Sequence, residues 1–548
     1  MEENGRSLVT DREKATAFNR TYAAVSKQVR NSKADRKTKT RLKAPNVRTC
    51  HECCGHRNGY CSPFSEEELT RQISQAKLRK SPGPDDLCNE HLRYLGPVAR
   101  QTLLDLINAS WQRGFVPREW RRAVIVPIPK TGKDPRKIAS YRPIALTSHV
   151  AKLAERLVAT RLTHLAESRH LIPPEQVGFR EGRGVEDVVA RLTQQVQDGW
   201  QRKPCPPSKK QVPDGEAAQK YVLVAYDFAR AYDKVDHRLL RARLAELGIP
   251  ACFNTWVWSF LRDRRACVEL NGTRSGERIY RAGLPQGSVL SPTLFLLWSA
   301  PLATALRSLP GTTPFQFADD TSTLCAGNTI AVARDRAQLA ADTLVKWARD
   351  NKMEVAGQKT QLLVLSQNHR DAVGCHIRVA GQLVEGGAEL KLLGVTLDRT
   401  LGFGPHCRNL RRRVRPRAAQ LRRLTGRSWG LQEQQLRAVA NGYVRGAIEH
   451  AAAAWLPATS PTNVELLERE MRAAARIVTG CIRSAPHHGV MAEAGILPVA
   501  ARRTALAARM LAKATALPPE DPLRLLAVAD PPCRLRRVTG WRQLGREV

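Results

Sequence analysis

Acidic residues are the scarce charged type in this chain, with 51 Asp and Glu against 88 Lys and Arg, so acids at the tips of apolar strands stand out. Asp227 directly follows the six-residue apolar run Tyr221-Val-Leu-Val-Ala-Tyr226. Asp319 and Asp320 follow Phe315-Gln-Phe-Ala318, again apolar and strand-like. Carboxylates gathered on adjacent strand ends repel one another, and a divalent cation is the usual remedy. Hard oxygen ligands suit Mg²⁺, with Mn²⁺ able to substitute. Two such ions about 4 Å apart would activate a hydroxyl nucleophile and stabilise a leaving pyrophosphate. Taken alone, an Asp-Asp pair after a strand is more often a plain turn, and only its company decides.

The elements that would carry these acids are mixed. Strands are expected at 123–129, 221–226, 267–270 and 361–366, and a hairpin at 315–320. Helices are expected after Ser65, at 150–166, at 257–261, after Pro292 and at 331–349, with an almost wholly helical chain beyond 404. The absence of strict βα alternation points to an α+β fold. Residues 1–64 read as a basic N-terminal extension with a Cys/His cluster, and a Pro- and Lys-rich loop spans 199–220. The formal charge of +37 on 548 residues favours a polyanionic partner. No apolar run approaches the roughly 18 residues that span a bilayer, so no membrane partner is expected. Thirteen cysteines, odd in number and mostly scattered, suit a reduced compartment. The basic stretch 27–48 is also compatible with nuclear import.

The ordered series of segments around the acids resembles the reverse transcriptases of non-LTR (LINE-type) retrotransposons. Phe317-Ala-Asp-Asp320 is similar to their catalytic hairpin, and Asp227-Phe-Ala-Arg-Ala-Tyr-Asp-Lys-Val-Asp-His237 to their first palm motif. Gly283-Leu-Pro-Gln-Gly-Ser-Val-Leu-Ser-Pro292 is similar to the motif beneath the incoming nucleotide and template. Upstream, Ser81-Pro-Gly-Pro-Asp-Asp86, Ala139-Ser-Tyr-Arg-Pro-Ile-Ala-Leu146 and Gln176-Val-Gly-Phe-Arg180 resemble finger segments. Downstream, Lys359 and Leu392-Leu-Gly-Val-Thr-Leu-Asp398 resemble a later palm motif and the primer grip.

The resemblance implies a right-hand polymerase: fingers at 65–220, palm at 221–400, an Arg-rich helical thumb at 401–500 and a C-terminal helical tail at 501–548. It implies an RNA-directed DNA polymerase that extends a primer 3′-hydroxyl with dNTPs by a two-metal mechanism. Asp227 and Asp319 would hold the ions, with Asp320 as a third carboxylate and the Phe228 carbonyl as an added oxygen ligand. Tyr232 would place a ring under the sugar and exclude ribonucleotides. Lys130 and Arg142 would hold the triphosphate. Gln286 and Gly287 would let the backbone approach nucleotide and template, and Lys359 would give a proton to pyrophosphate.

The stretch 408–427 holds nine Arg and no acid, and Pro416 is expected to divide it into two shorter helices. Arg411, Arg412, Arg413, Arg415, Arg417, Arg422 and Arg423 are the candidates for contact with template–primer phosphates. Cys50, Cys53, His56 and Cys61 supply enough ligands for a structural Zn²⁺. Their spacing is not that of a retroviral knuckle, and a Cys-rich linker is the favoured reading. Lys130-Thr-Gly-Lys-Asp134 lacks the leading Gly and the Ser or Thr of a phosphate loop.

By resemblance the partners are an RNA template, a DNA primer or target DNA and dNTPs, and the setting is target-primed reverse transcription in the nucleus. The chain is expected to be the polymerase portion alone, so the endonuclease activity would come from elsewhere. The rivals are an RNA-dependent RNA polymerase, a group II intron maturase and an RNA-binding remnant.

Overall fold

The computed structural model describes residues 1–3, 6–27, 60–203, 217–426, 428–530 and 540–548. The described chain divides into two compact units that interleave along the sequence. One comprises residues 1–173, 228–302 and 345–354, the other residues 174–227, 303–344 and 355–548. The chain crosses between these two units several times.

The first unit is built on a sheet in which the strand Arg122–Pro129 lies between Tyr141–Thr147 and Arg264–Leu270. Its partner Tyr141–Thr147 is antiparallel, whereas Arg264–Leu270 runs parallel. The 123–129 run forms as its β-branched composition predicts, and Pro127 and Pro129 fall at its far end, where fewer ladder bonds are lost. The helix after Ser65 also forms as expected, Glu66–Ser74, with a reciprocal capping box between Ser65 and Glu68.

The start of the chain, within the stretch read as a basic extension, holds a docked helix. Thr10 and Glu13 cap a helix, Asp11–Val25. That helix buries Ala15, Ala17 and Phe18 against Ala123, Ile125, Ala145, Ala266 and Val268. The Phe18 ring meets Tyr141 edge-on at 5.0 Å. Asn19, almost wholly buried, donates to the Ala266 carbonyl, to Ser275 and to the Gly276 carbonyl, and accepts from the Tyr280 hydroxyl. What the sequence did not show is that this segment docks, because a polar residue carries much of the contact. Phe18→Ala should cost about 3–5 kcal/mol of stability, read as a lowered urea midpoint at unchanged slope. An exposed extension would show no change.

The second unit is centred on a six-stranded sheet. Its order is His376–Val379, Gln382–Gly387, Gln361–Leu365, Lys220–Tyr226, Asp320–Gly327 and Thr312–Phe317. The apolar run 221–226 is thus an interior strand, with Val222, Leu223 and Val224 wholly buried. A two-residue turn, Ala318-Asp319, closes the hairpin between Thr312–Phe317 and Asp320–Gly327. A second tight hairpin, Glu389–Leu392 with Val395–Asp398, forms at the expected primer-grip motif.

Beyond it the chain is helical. Gly404–Leu421 is one helix with Pro416 inside it, not the two expected. Pro416 is exposed, while Leu410, Val414, Ala418 and Leu421 bury one face of the helix in the unit's core. That packing offsets the lost hydrogen bond, about 3 kcal/mol. The last helices contribute to the core as well. Trp541 is wholly buried and donates through Nε1 to the Ala190 carbonyl at 3.1 Å, and Arg542 pairs with Asp198 at 2.7 Å.

Candidate active site

In the second unit, the sheet register brings the acidic residues to neighbouring strand ends. Tyr226 pairs with Thr321, so Asp227 and Asp320 are the next residues out on adjacent antiparallel strands. Asp319 occupies the turn that precedes Asp320. Burial, then the charges of Asp319 and Asp227, push the Asp320 carboxyl up to about 6. Lys359 ends the short turn Gly357–Lys359 and brings Nζ to 3.3 Å from Asp227 Oδ1. The Asp227 carbonyl accepts from the Ala356 amide at 2.8 Å, which ties that turn to the strand end.

Among the described residues, no three His, Cys, Asp or Glu side chains stand close enough to hold a metal ion together. The donor set is nonetheless of the right kind. Its oxygens are hard, and one carboxyl is already raised, by burial first and then by its neighbours' charges, the part that a divalent cation relieves.

The raised Asp320 carboxyl has a consequence for stability. Its ionised form is disfavoured in the fold, so its contribution is full below the unfolded value near 4 and is lost as pH rises through about 6. In metal-free buffer, Asp320→Asn should therefore raise the urea midpoint at pH 7.5 and change it little at pH 4. Equal midpoints at pH 7.5 would contradict the crowding of these carboxylates.

The first unit holds the residues expected to meet the nucleotide. Lys130 and Arg142 lie at the loop end of one hairpin, Arg142 exposed and paired in register with Ile128. Lys130 donates to the Ala139 carbonyl at 3.0 Å. The Gln286 carbonyl accepts from the Ala145 amide on that hairpin at 2.7 Å. Gly287 has φ 120°, and a Cβ there would meet the Ala145 oxygen at 2.6 Å, so only glycine fits. Tyr232 is half-buried, its ring stacked on Phe295 at 4.5 Å with planes 14° apart. Phe228 is buried, edge-on to Trp347.

Two acids here were not singled out in the sequence. Asp233 accepts from the Gln286 amide at 2.9 Å. Its carboxyl is raised by burial, an effect that hydrogen bond and the nearby Arg230 and Lys130 oppose. Glu155, fully buried in the helix His149–Ser168, accepts from the Ser288 hydroxyl and the Val289 amide. In sequence each looks like an unremarkable helix or loop acid, since its partner lies dozens of residues away.

Of the arginines in the 408–427 stretch, Arg411 pairs with Glu470 at 3.0 Å, and Arg417 donates to the Tyr443 carbonyl with its guanidinium over that ring. Arg412, Arg413, Arg415, Arg422 and Arg423 are exposed. Cys50, Cys53 and His56 lie outside the described residues, and Cys61 is disulfide-bonded. The 199–220 loop falls largely outside them too. No described helix is long and apolar enough to cross a membrane.

Residues 128–397 match the reverse transcriptase (RNA-dependent DNA polymerase) family. The chain carries a reverse transcriptase domain over those residues. Its fold class is accordingly the α+β right-hand polymerase type. Two relatives come from Drosophila melanogaster. The "Probable RNA-directed DNA polymerase from transposon BS" is 34% identical over 69% of this chain and 40% of its own length. The "RNA-directed DNA polymerase from mobile element jockey" is 30% identical over 66% of this chain and 38% of its own. The chain thus spans about two fifths of the length of those relatives. A solved apo telomerase from Candida tropicalis overlays with a TM-score of 0.38 at 11% identity, covering 79% of this chain and 74% of that one. That likeness is too slight to carry an argument.

Proposed function

We propose that the chain copies RNA into DNA as the polymerase part of a non-LTR retrotransposon protein, adding dNTPs to a primer 3′-hydroxyl. The observation that carries this is the placement of Asp227 and Asp320 on adjacent strand ends with Asp319 in the intervening turn. Asp227 and Asp319, with Asp320 beside them, are the ligands for two Mg²⁺ ions, and Mn²⁺ has the same oxygen preference. Bound Mg²⁺ would supply Lewis-acid activation of the hydroxyl and charge neutralisation on the departing pyrophosphate.

The protein's own groups supply the rest. Lys130 and Arg142 bind triphosphate oxygens, Arg142 through its forked guanidinium. Gln286 and Gly287 present backbone where a side chain would intrude, and the Tyr232 ring excludes a 2′-hydroxyl. Lys359, released from Asp227, donates a proton from Nζ to the leaving pyrophosphate. Exposed arginines of the Gly404–Leu421 helix contact phosphates of the template–primer duplex, a binding that weakens as salt rises.

The biological setting is target-primed reverse transcription in the nucleus, at DNA nicked by an endonuclease activity. The reading is tested with an RNA template and annealed DNA primer, offering labelled dNTPs or labelled ribonucleotides in parallel. A DNA product supports it. An RNA product would move the chain to the RNA-dependent RNA polymerases, and tight RNA binding without any product would make it a binding remnant.

A further inference from the structure

The turn that carries Asp319 has an awkward backbone. Ala318, the residue before it, has φ 58°, a conformation that side chains other than glycine and asparagine rarely adopt. A two-residue turn also leaves the amide and carbonyl of Ala318 outside the ladder of its own hairpin. Ala318 is nevertheless 6% exposed, so water does not satisfy those groups.

Gln176 satisfies both. It is wholly buried. Its Nε2 donates to the Ala318 carbonyl at 3.1 Å, and its Oε1 accepts from the Ala318 amide at 2.8 Å and from the Gly178 amide at 3.1 Å. A carboxamide carries a donor and an acceptor side by side, as the two groups of Ala318 require. The backbone around it is fixed to the same hairpin. The Gln316 amide donates to the Glu175 carbonyl and the Val177 amide to the Gln316 carbonyl, each at 2.9 Å. Residues 175–177 thus lie parallel to the edge strand Thr312–Phe317. Gly178 permits the approach, since a Cβ there would stand 2.5 Å from the Ala318 nitrogen.

We infer that Gln176 is a positioning residue of the polymerase: it locks the Ala318-Asp319 turn and so fixes where the Asp319 carboxylate points. This rests on the polymerase reading of Asp319. Gln176 itself touches no reacting atom. Although its motif resembles a finger segment, the grip places its work on the catalytic hairpin.

The test uses the full chain with Gln176→Leu and Gln176→Met, each of which keeps bulk and removes both hydrogen-bonding groups. Four quantities are compared with wild type: kcat for dNTP addition, the Mg²⁺ concentration giving half-maximal rate, KM for template–primer, and hydrogen exchange at the Ala318 amide. A loosened turn lowers kcat by about tenfold to a hundredfold. It raises the half-maximal Mg²⁺ several-fold, leaves KM for template–primer unchanged, and speeds Ala318 exchange by at least about tenfold.

Unchanged kcat and Mg²⁺ dependence in either folded variant would overturn the inference, whether or not exchange changed. So would a loss that falls equally on kcat, template–primer KM and melting temperature, the mark of a merely structural role. If Gln176→Leu does not fold, Gln176→Met decides alone. Should the wild type extend no primer, the polymerase reading fails separately, and Ala318 exchange still reports whether Gln176 holds the turn.

Discussion

Asp319→Asn should lower primer extension on the order of 10³-fold or more, with the fold intact. Asparagine keeps the side chain's shape and one oxygen but loses the negative charge, and neutral amide oxygens are poor ligands for hard divalent cations. Position 319 lies in a two-residue turn, where asparagine is as well tolerated as aspartate, so the thermal midpoint should not fall. The comparison is single-turnover extension at saturating dNTP, beside a melting curve. Asp227→Asn should behave alike, because Asp227 sits at the end of the adjoining interior strand. A variant that kept a tenth of wild-type activity, a loss of only about 1.4 kcal/mol in the barrier, would exclude Asp319 as an essential ligand.

The second large effect concerns the sugar. Tyr232→Ala should raise ribonucleotide incorporation relative to deoxynucleotide on the order of a hundredfold, while Tyr232→Phe should leave the ratio unchanged. The ring is pinned by its stack on Phe295, and its backbone carbonyl accepts from Leu284 at 2.7 Å. A clash with a 2′-hydroxyl therefore cannot be relieved by rotation. The readout is the ratio of kcat/KM for matched dNTP and rNTP. An unchanged ratio in Tyr232→Ala would assign the ring to packing alone.

Much of this was legible in the sequence because the signals were local. The run 221–226 announces a buried strand by composition, and the Phe315–Asp320 pattern announces a hairpin whose turn had to carry an acid. What escaped depends on partners far along the chain. Asn19 docks the first helix on residues near 266–276, Gln176 grips a turn 142 residues away, and Glu155 holds a loop at 288. No period or propensity records such pairings.

Pro416 misled for the opposite reason: a strong local rule was overridden by the apolar face of its helix. The Arg-rich stretch likewise looked uniform, yet Arg411 and Arg417 are engaged within the fold and only part of the set faces solvent. Trp541 was passed over because a short segment near the end of a chain carries little periodicity, although its indole is wholly buried.

The most direct measurement is primer extension by the purified chain on an RNA template of defined sequence, with Mg²⁺, all four dNTPs and the product sequenced. The expected result is DNA complementary to the template, lost when EDTA is added or when Asp319 is replaced by Asn. Extension that persists with Asp319→Asn, or a product unrelated to the template, would contradict the assignment of RNA-directed DNA synthesis to this carboxylate cluster.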